Sequence, residues 1–270
     1  MWTIWRSEWK TTTRQKSYYA ILILWLLVIS LLIILEGTNG SISGYTNITG
    51  TIVNIMLYIL PLFMLIYGSF AIAGEMENGQ WSLLCTYPLE MSSYFFGKLG
   101  GQFTAQAVSY SLAYWLSMLL GLITGLSISM NWMLVLYIFS LLLILFFLSI
   151  GLFLGAFVST RWQALTYSVG GWFVLIMIWP TLLIAMTSAL PYPMIGPVMK
   201  TAMFINPAEF TRFFLVVRLN AGSIFGQAYD SIVPLFEQGI VWGVIFLYGF
   251  TVIAFLGGLS IWKLKRRRAN

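Results

Sequence analysis

The chain has 270 residues, 60% of them hydrophobic and 8% charged, with 14 lysines and arginines against 8 acids and a net charge of +6. A soluble domain carries about 25% charged residues, so the composition excludes a soluble globular protein, a disordered chain and a nucleic-acid binder. There is no histidine, which removes histidine-held metals and haem and every Ser-His or Cys-His catalytic pair. The single Cys85 cannot close an intrachain disulfide.

Residues 1–17 place Trp2, Trp5 and Trp9 at i, i+3 and i+7, with Arg6, Lys10 and Arg14 around them. Indole rings and snorkelling cations both settle at a membrane surface, so the spacing predicts an amphipathic helix lying in the interface. A bilayer core needs about 20 apolar residues per crossing. Six stretches qualify: Tyr18–Leu35, Ile52–Ala73, Phe103–Thr124, Met133–Phe157, Thr166–Thr187 and Gly239–Trp262. The expected fold is therefore an all-α membrane protein, one polytopic domain over residues 1–270 with six transmembrane helices. Pro61 and Pro180 should bend their helices. The glycine pairs Gly121/Gly125, Gly151/Gly155 and Gly239/Gly243 allow close helix approach, either within the chain or at a seam with a second copy.

Orientation follows from the basic residues. Eleven of them fall in the N-terminal tail, at Lys98, at Arg161 and in the C-terminal tail from Lys263 to Arg268, whereas the first and third connections hold none. Lys200, Arg212 and Arg218 lie in a long fifth connection, 188–238, where charge weighs less in the rule. Both termini are thus expected on the cytoplasmic side of the cell membrane, and segment 188–238 outside.

The 74–102 connection is cytoplasmic in this scheme. Gln80–Tyr87 should form about two helical turns, ended by Pro88. Trp81, Leu83 and Leu84 there have no hydrocarbon to enter and need a protein partner. In the outer segment, Asn206-Pro207-Ala208-Glu209 reads as a helix start, with a capping Asn206, Pro207 in the first turn and Glu209 at the positive end of the dipole. Helix-terminus chemistry explains most of that motif. Phe210, Phe213, Phe214 and Val217 form an apolar stripe, and Arg212 is available to pair with Glu209 or with a partner. Met194, Met199 and Met203 are thioethers of the kind that suit Cu(I), although methionine is also an ordinary packing residue.

No phosphate loop of the form G-x-x-x-x-G-K-[ST] occurs, and no ionisable residue sits near the middle of an expected span. Ion relays need such residues at membrane depth, which argues against a proton-coupled carrier or an ion pump. A protein of this kind borrows its energy or acts as a scaffold.

Six spans, an interfacial N-terminal helix and the pattern Glu75-x-Glu77-x-Gly79, Leu83-Leu84, Pro88, Gly97-Lys98 resemble the permease subunit of type-2 (exporter-like) ABC transporters, over nearly the whole chain. The resemblance implies a coupling helix at Gln80–Tyr87 that docks on a separate ATPase. The contact residues would be Glu75, Glu77, Gly79, Gln80, Trp81, Leu83, Leu84, Pro88, Gly97 and Lys98. Glu75 and Glu77 would close the second span and meet basic groups of the ATPase or of the N-terminal helix. It further implies two ATPase copies that hold the ATP and Mg, a second permease chain, as a homodimer or a heterodimer with the former favoured, and no catalytic, cofactor-binding or metal residue in this chain. Asn78 and Met91 stand where the family usually carries basic residues, so the apolar part of the contact is the part that matches. The run Asn206-Pro207-x-Glu209-x-x-Arg212 is similar to the NosY-type branch, whose best-known members serve copper-enzyme maturation. The expected function is export of an apolar or amphiphilic substrate. The alternatives are mechanical action on an extracytoplasmic partner and a non-transporting membrane scaffold.

Overall fold

The computed structural model describes residues 1–270 apart from 38–40, 43–46, 124, 126, 227–228, 230–231 and 270. Among the described residues the chain is helical almost throughout. In order, the helices are α1 (Trp2–Arg14), α2 (Lys16–Gly37), α3 (Asn47–Glu77), α4 (Gln80–Thr86), α5 (Met91–Ile123), α6 (Met130–Phe157), α7 (Arg161–Trp172), α8 (Trp179–Ala189), α9 (Tyr192–Ile205), α10 (Pro207–Arg218), α11 (Val233–Glu237) and α12 (Val241–Ala269). A two-residue ladder pairs β1 (Ser41–Ile42) in parallel with β2 (Ser127–Ile128). Among the described residues five stretches are long and apolar enough to cross a membrane: Thr49–Glu77, Met91–Ile123, Met130–Phe157, Arg161–Ala189 and Val241–Arg268. The first expected span lies in α2, whose apolar run Tyr18–Leu31 is shorter.

Two spans differ from the sequence expectation in an informative way. The third was expected from Phe103 to Thr124, yet α5 already starts at Met91; Thr124 lies outside the described residues. Gly97, Gly100 and Gly101 look like loop punctuation. They are helical because α1 lies against them: a Cβ on Gly97 would come 3.0 Å from Ile4 Cβ, and one on Gly101 would come 2.6 Å from Glu8 Cβ. The 74–102 connection thus contracts to two short links flanking α4.

The fifth span runs from Arg161 to Ala189 and contains a π-helical turn, Phe173–Ile178. Pro180 explains it. Proline has no N–H and its ring crowds the preceding turn. Just before it the Trp179 N–H reaches five residues back, to Val174 O, and the wider turn makes room for the ring.

The core is a crossing of α3 and α6. A Cβ on Gly68 would lie 2.7 Å from Leu148 O, one on Gly151 2.7 Å from Leu65 O, and one on Gly155 2.7 Å from Ser69 O. Gly151/Gly155 therefore serve packing within the chain, while Gly239 and Gly243 face open space. Small residues admit this approach, and hydroxyls tie the crossing to its neighbours: Ser69 Oγ of α3 lies 2.8 Å from Ser168 Oγ of α7, and Tyr110 of α5 donates to Ser140 Oγ of α6 at 2.8 Å. Trp25, Tyr110, Tyr114, Phe139, Phe146 and Phe147 fill the interior.

Candidate functional site

The termini and α4 meet at one end of the bundle. There α3 stops at Glu77, and Gly79 turns the chain with φ at +71°, a left-handed conformation that glycine adopts without a Cβ penalty. Helix α4 follows. It ends where the sequence predicts, because Pro88 forces the preceding Tyr87 into extended backbone with ψ at 148°. Ser82 and Thr86 turn their hydroxyls back onto Gly79 O and Leu83 O, at 2.6 and 2.7 Å. Trp81 packs edge-on against Tyr94, ring centroids 5.6 Å apart. The opposite face is open: Leu83 is 65% and Tyr87 62% exposed.

Beneath α4 lies a buried ion cluster. Lys98 Nζ, on α5, donates to Glu75 Oε1 of α3 at 2.5 Å and to Glu8 Oε1 of α1 at 2.6 Å. Tyr94 donates to the second oxygen of Glu75 at 2.5 Å. Lys98 is 1% exposed. An isolated ammonium does not survive such burial; two carboxylates and an aromatic face supply what water no longer does. Through Tyr94 and Trp81 the cluster reaches α4, so four helices converge on one cation.

Two further links close this end. Glu77 Oε2 accepts the Arg161 N–H at 2.7 Å, placing a negative charge at the start of α7 where free N–H groups and the helix dipole favour it. A Cβ on Gly74 would sit 3.3 Å from the Arg161 guanidinium. At the end of α12, Arg267 donates to Val158 O and Phe157 O at 2.8 and 2.9 Å and also contacts Met76 Sδ. Arg268 donates to Leu89 O, Tyr87 O and Cys85 O at 2.8, 3.0 and 3.3 Å.

The residues singled out from sequence thus divide in two. Glu77, Gly79, Gln80, Leu83 and Pro88 are exposed, and Leu84 partly so. Glu75, Trp81, Gly97 and Lys98 turn inward. Glu75 meets the lysine of α5 rather than a base on the N-terminal helix, which contributes a second acid, Glu8, instead. Sequence reasoning passed over Glu8, Tyr94 and the specific roles of Arg267 and Arg268. Glu8 carried a signal: it is the one acid in residues 1–17.

The Asn206 motif lies in the other half of the bundle. Asn206 Oδ1 accepts the Ala208 N–H at 3.0 Å, the expected cap. Its amide Nδ2 donates to Leu175 O at 2.7 Å. That carbonyl lies five residues before Pro180, which has no N–H to give it, so the side chain that starts α10 also completes the π-turn. Pro207 follows in the first turn. Phe210, Phe213, Phe214 and Val217 are buried as predicted, with Phe210 stacked on Tyr248 at 3.8 Å. Glu209 and Arg212 approach to 3.8 Å, and burial raises the Glu209 carboxyl above its usual range against the opposing pull of Arg212. Met203 is buried and Met194 exposed.

Long apolar helices define a polytopic membrane protein, and the short braced α4 presents an exposed apolar face beyond α3 and α5. The chain belongs to the ABC-2 family of transporter proteins, whose profile matches residues 2–267. It is similar to the "Probable ABC transporter permease protein NosY" of Pseudomonas aeruginosa, 24% identical over 96% of this chain and 97% of that one. It is also similar to the protein of the same name from Stutzerimonas stutzeri, 26% identical over 78% of this chain and 79% of that one. It is accordingly an integral membrane permease of the ABC transporter class, a transport subunit of a generally non-catalytic kind that works with an ABC ATPase.

Proposed function

We propose that this chain is the six-span half of an ABC exporter, with both termini and α4 in the cytoplasm, and that α4 docks on the ATPase. The observation that carries the reading is the two-sided character of α4. Trp81 is held by Tyr94 above the Lys98 cluster, while Leu83 and Tyr87 stand exposed. A braced helix with an apolar outer face transmits force from whatever covers that face. The eleven basic residues concentrated at and near this end support its cytoplasmic placement.

In this reading two copies pair and two ATPases, holding ATP and Mg, bind beneath them. Within the Arg161–Ala189 span 11% of an 18-residue apolar stretch is buried by its own chain, against 61% for the Met130–Phe157 span, which favours the former as the face for a second copy. The interior of one chain is filled with aromatic side chains, which favours a cargo path between copies. The lack of ionisable groups near mid-span favours an apolar or amphiphilic cargo.

A second reading, mechanical action on an extracytoplasmic partner, is favoured by the Asn206–Leu175 bond, which ties α10 to the π-turn of the Arg161–Ala189 span. The experiment for the first reading is co-purification. Tagged chain retains the ATPase, and Leu83→Asp loses it with an unchanged melting temperature. Full retention by Leu83→Asp contradicts the docking assignment.

A further inference from the structure

The basic C-terminal tail enters the sequence argument as charge alone, yet its arginines form specific bonds. Pro88 interrupts the helix after α4 and leaves carbonyls there without intrahelical donors. Arg268, in the last turn of α12, spans that gap with donors to the carbonyls of residues 85, 87 and 89 at 3.3, 3.0 and 2.8 Å. Arg267 binds the carbonyls at the end of α6 at 2.8 and 2.9 Å. The planar guanidinium fits this task because it presents five donors in a fixed fork; an ammonium cannot span three acceptors in the same way. The neighbouring cations do something else: Arg266 lies over the Trp262 ring at 4.1 Å, and Lys265 is exposed.

We propose that Arg268 is a positioning residue for energy transfer: it makes the turn after α4 move with the end of α12. Displacement of α4 then reaches the last span directly, as well as through the Lys98 cluster to α1, α3 and α5. The clasp itself stands on the geometry above; its use in transport rests on the reading of α4 as the ATPase-docking helix.

The test uses the full chain with its ATPase in lipid nanodiscs. Cys85 is the only cysteine and its carbonyl is one of the three held, so maleimide modification reads the turn without an engineered probe. Arg268→Ala should speed Cys85 modification about tenfold, equivalent to about 1.4 kcal/mol of lost bonding. Arg268→Lys should recover part of that. Lys265→Ala, which removes an equal charge one turn away, should leave the rate unchanged. An unchanged rate in Arg268→Ala, or an equal acceleration in Lys265→Ala, overturns the clasp.

The second arm places the probe at the far end of α12 as Gly243→Cys in a Cys85→Ser background, where a side chain meets open space. ATP should change the labelling rate at position 243, and Arg268→Ala should at least halve that change while the ATPase stays bound. A full response at position 243 in Arg268→Ala overturns the proposed transfer. Failure of the unsubstituted chain to retain any ATPase overturns the docking reading instead, and the Cys85 rates still decide the clasp.

Discussion

Lys98 and Glu8 are 90 residues apart in the chain and 2.6 Å apart in space. That bond fixes α1 to the bundle as more than an amphipathic helix floating at an interface. Removing one partner of a buried pair leaves an uncompensated charge, at a cost of about 3–5 kcal/mol. Lys98→Met should therefore lower the melting temperature by roughly 10 °C for a chain of this size. The triple variant Lys98→Met, Glu8→Gln, Glu75→Gln leaves no buried charge and should melt above the single variant. A single variant as stable as the unsubstituted protein would show that the cluster is solvated.

The seat of α1 depends on Gly101. A Cβ there would lie 2.6 Å from Glu8 Cβ and 2.8 Å from Trp5 O, closer than real contacts allow. Gly101→Ala should push α1 off α5, loosen the helix backbone around the already exposed Arg6, Lys10 and Arg14, and speed tryptic cleavage of the N-terminus severalfold. Gly243→Ala, with open space around it, serves as the control. Equal cleavage of both variants would contradict this seat for α1.

Much of this was legible in the sequence, for physical reasons. Apolar runs of membrane-spanning length, the Pro88 stop after α4 and the Asn206 cap with its phenylalanine stripe each follow from local chemistry. The extra turns at the start of α5 did not, because Gly97 and Gly101 have two opposite uses, breaking a helix or admitting a neighbour. Only the partner helix distinguishes them. The second bond of Asn206 was hidden for a similar reason: its acceptor, Leu175 O, exists only because Pro180, elsewhere in the chain, cannot donate. Long-range bonds of this kind leave no local period to read.

Glu209 makes stability depend on pH. Its carboxyl is raised above the usual range by burial, with Arg212 only partly offsetting this. The folded state therefore binds the proton more tightly than the unfolded one. The stabilisation is full below the unfolded carboxyl pKa and is lost as pH rises through the folded value. Melting temperature should fall across that interval, and Glu209→Gln should flatten the fall. Identical profiles for the two proteins would contradict the burial of this group.

The central claim is that the exposed face of α4 receives the ATPase. A photo-crosslinker on Leu83→Cys, in a Cys85→Ser background, tests it most directly in the assembled transporter. The account predicts a crosslink to the ATPase whose yield changes when ATP binds. Labelling of position 83 by a membrane-impermeant reagent from outside intact cells, with no crosslink to the ATPase, would contradict it.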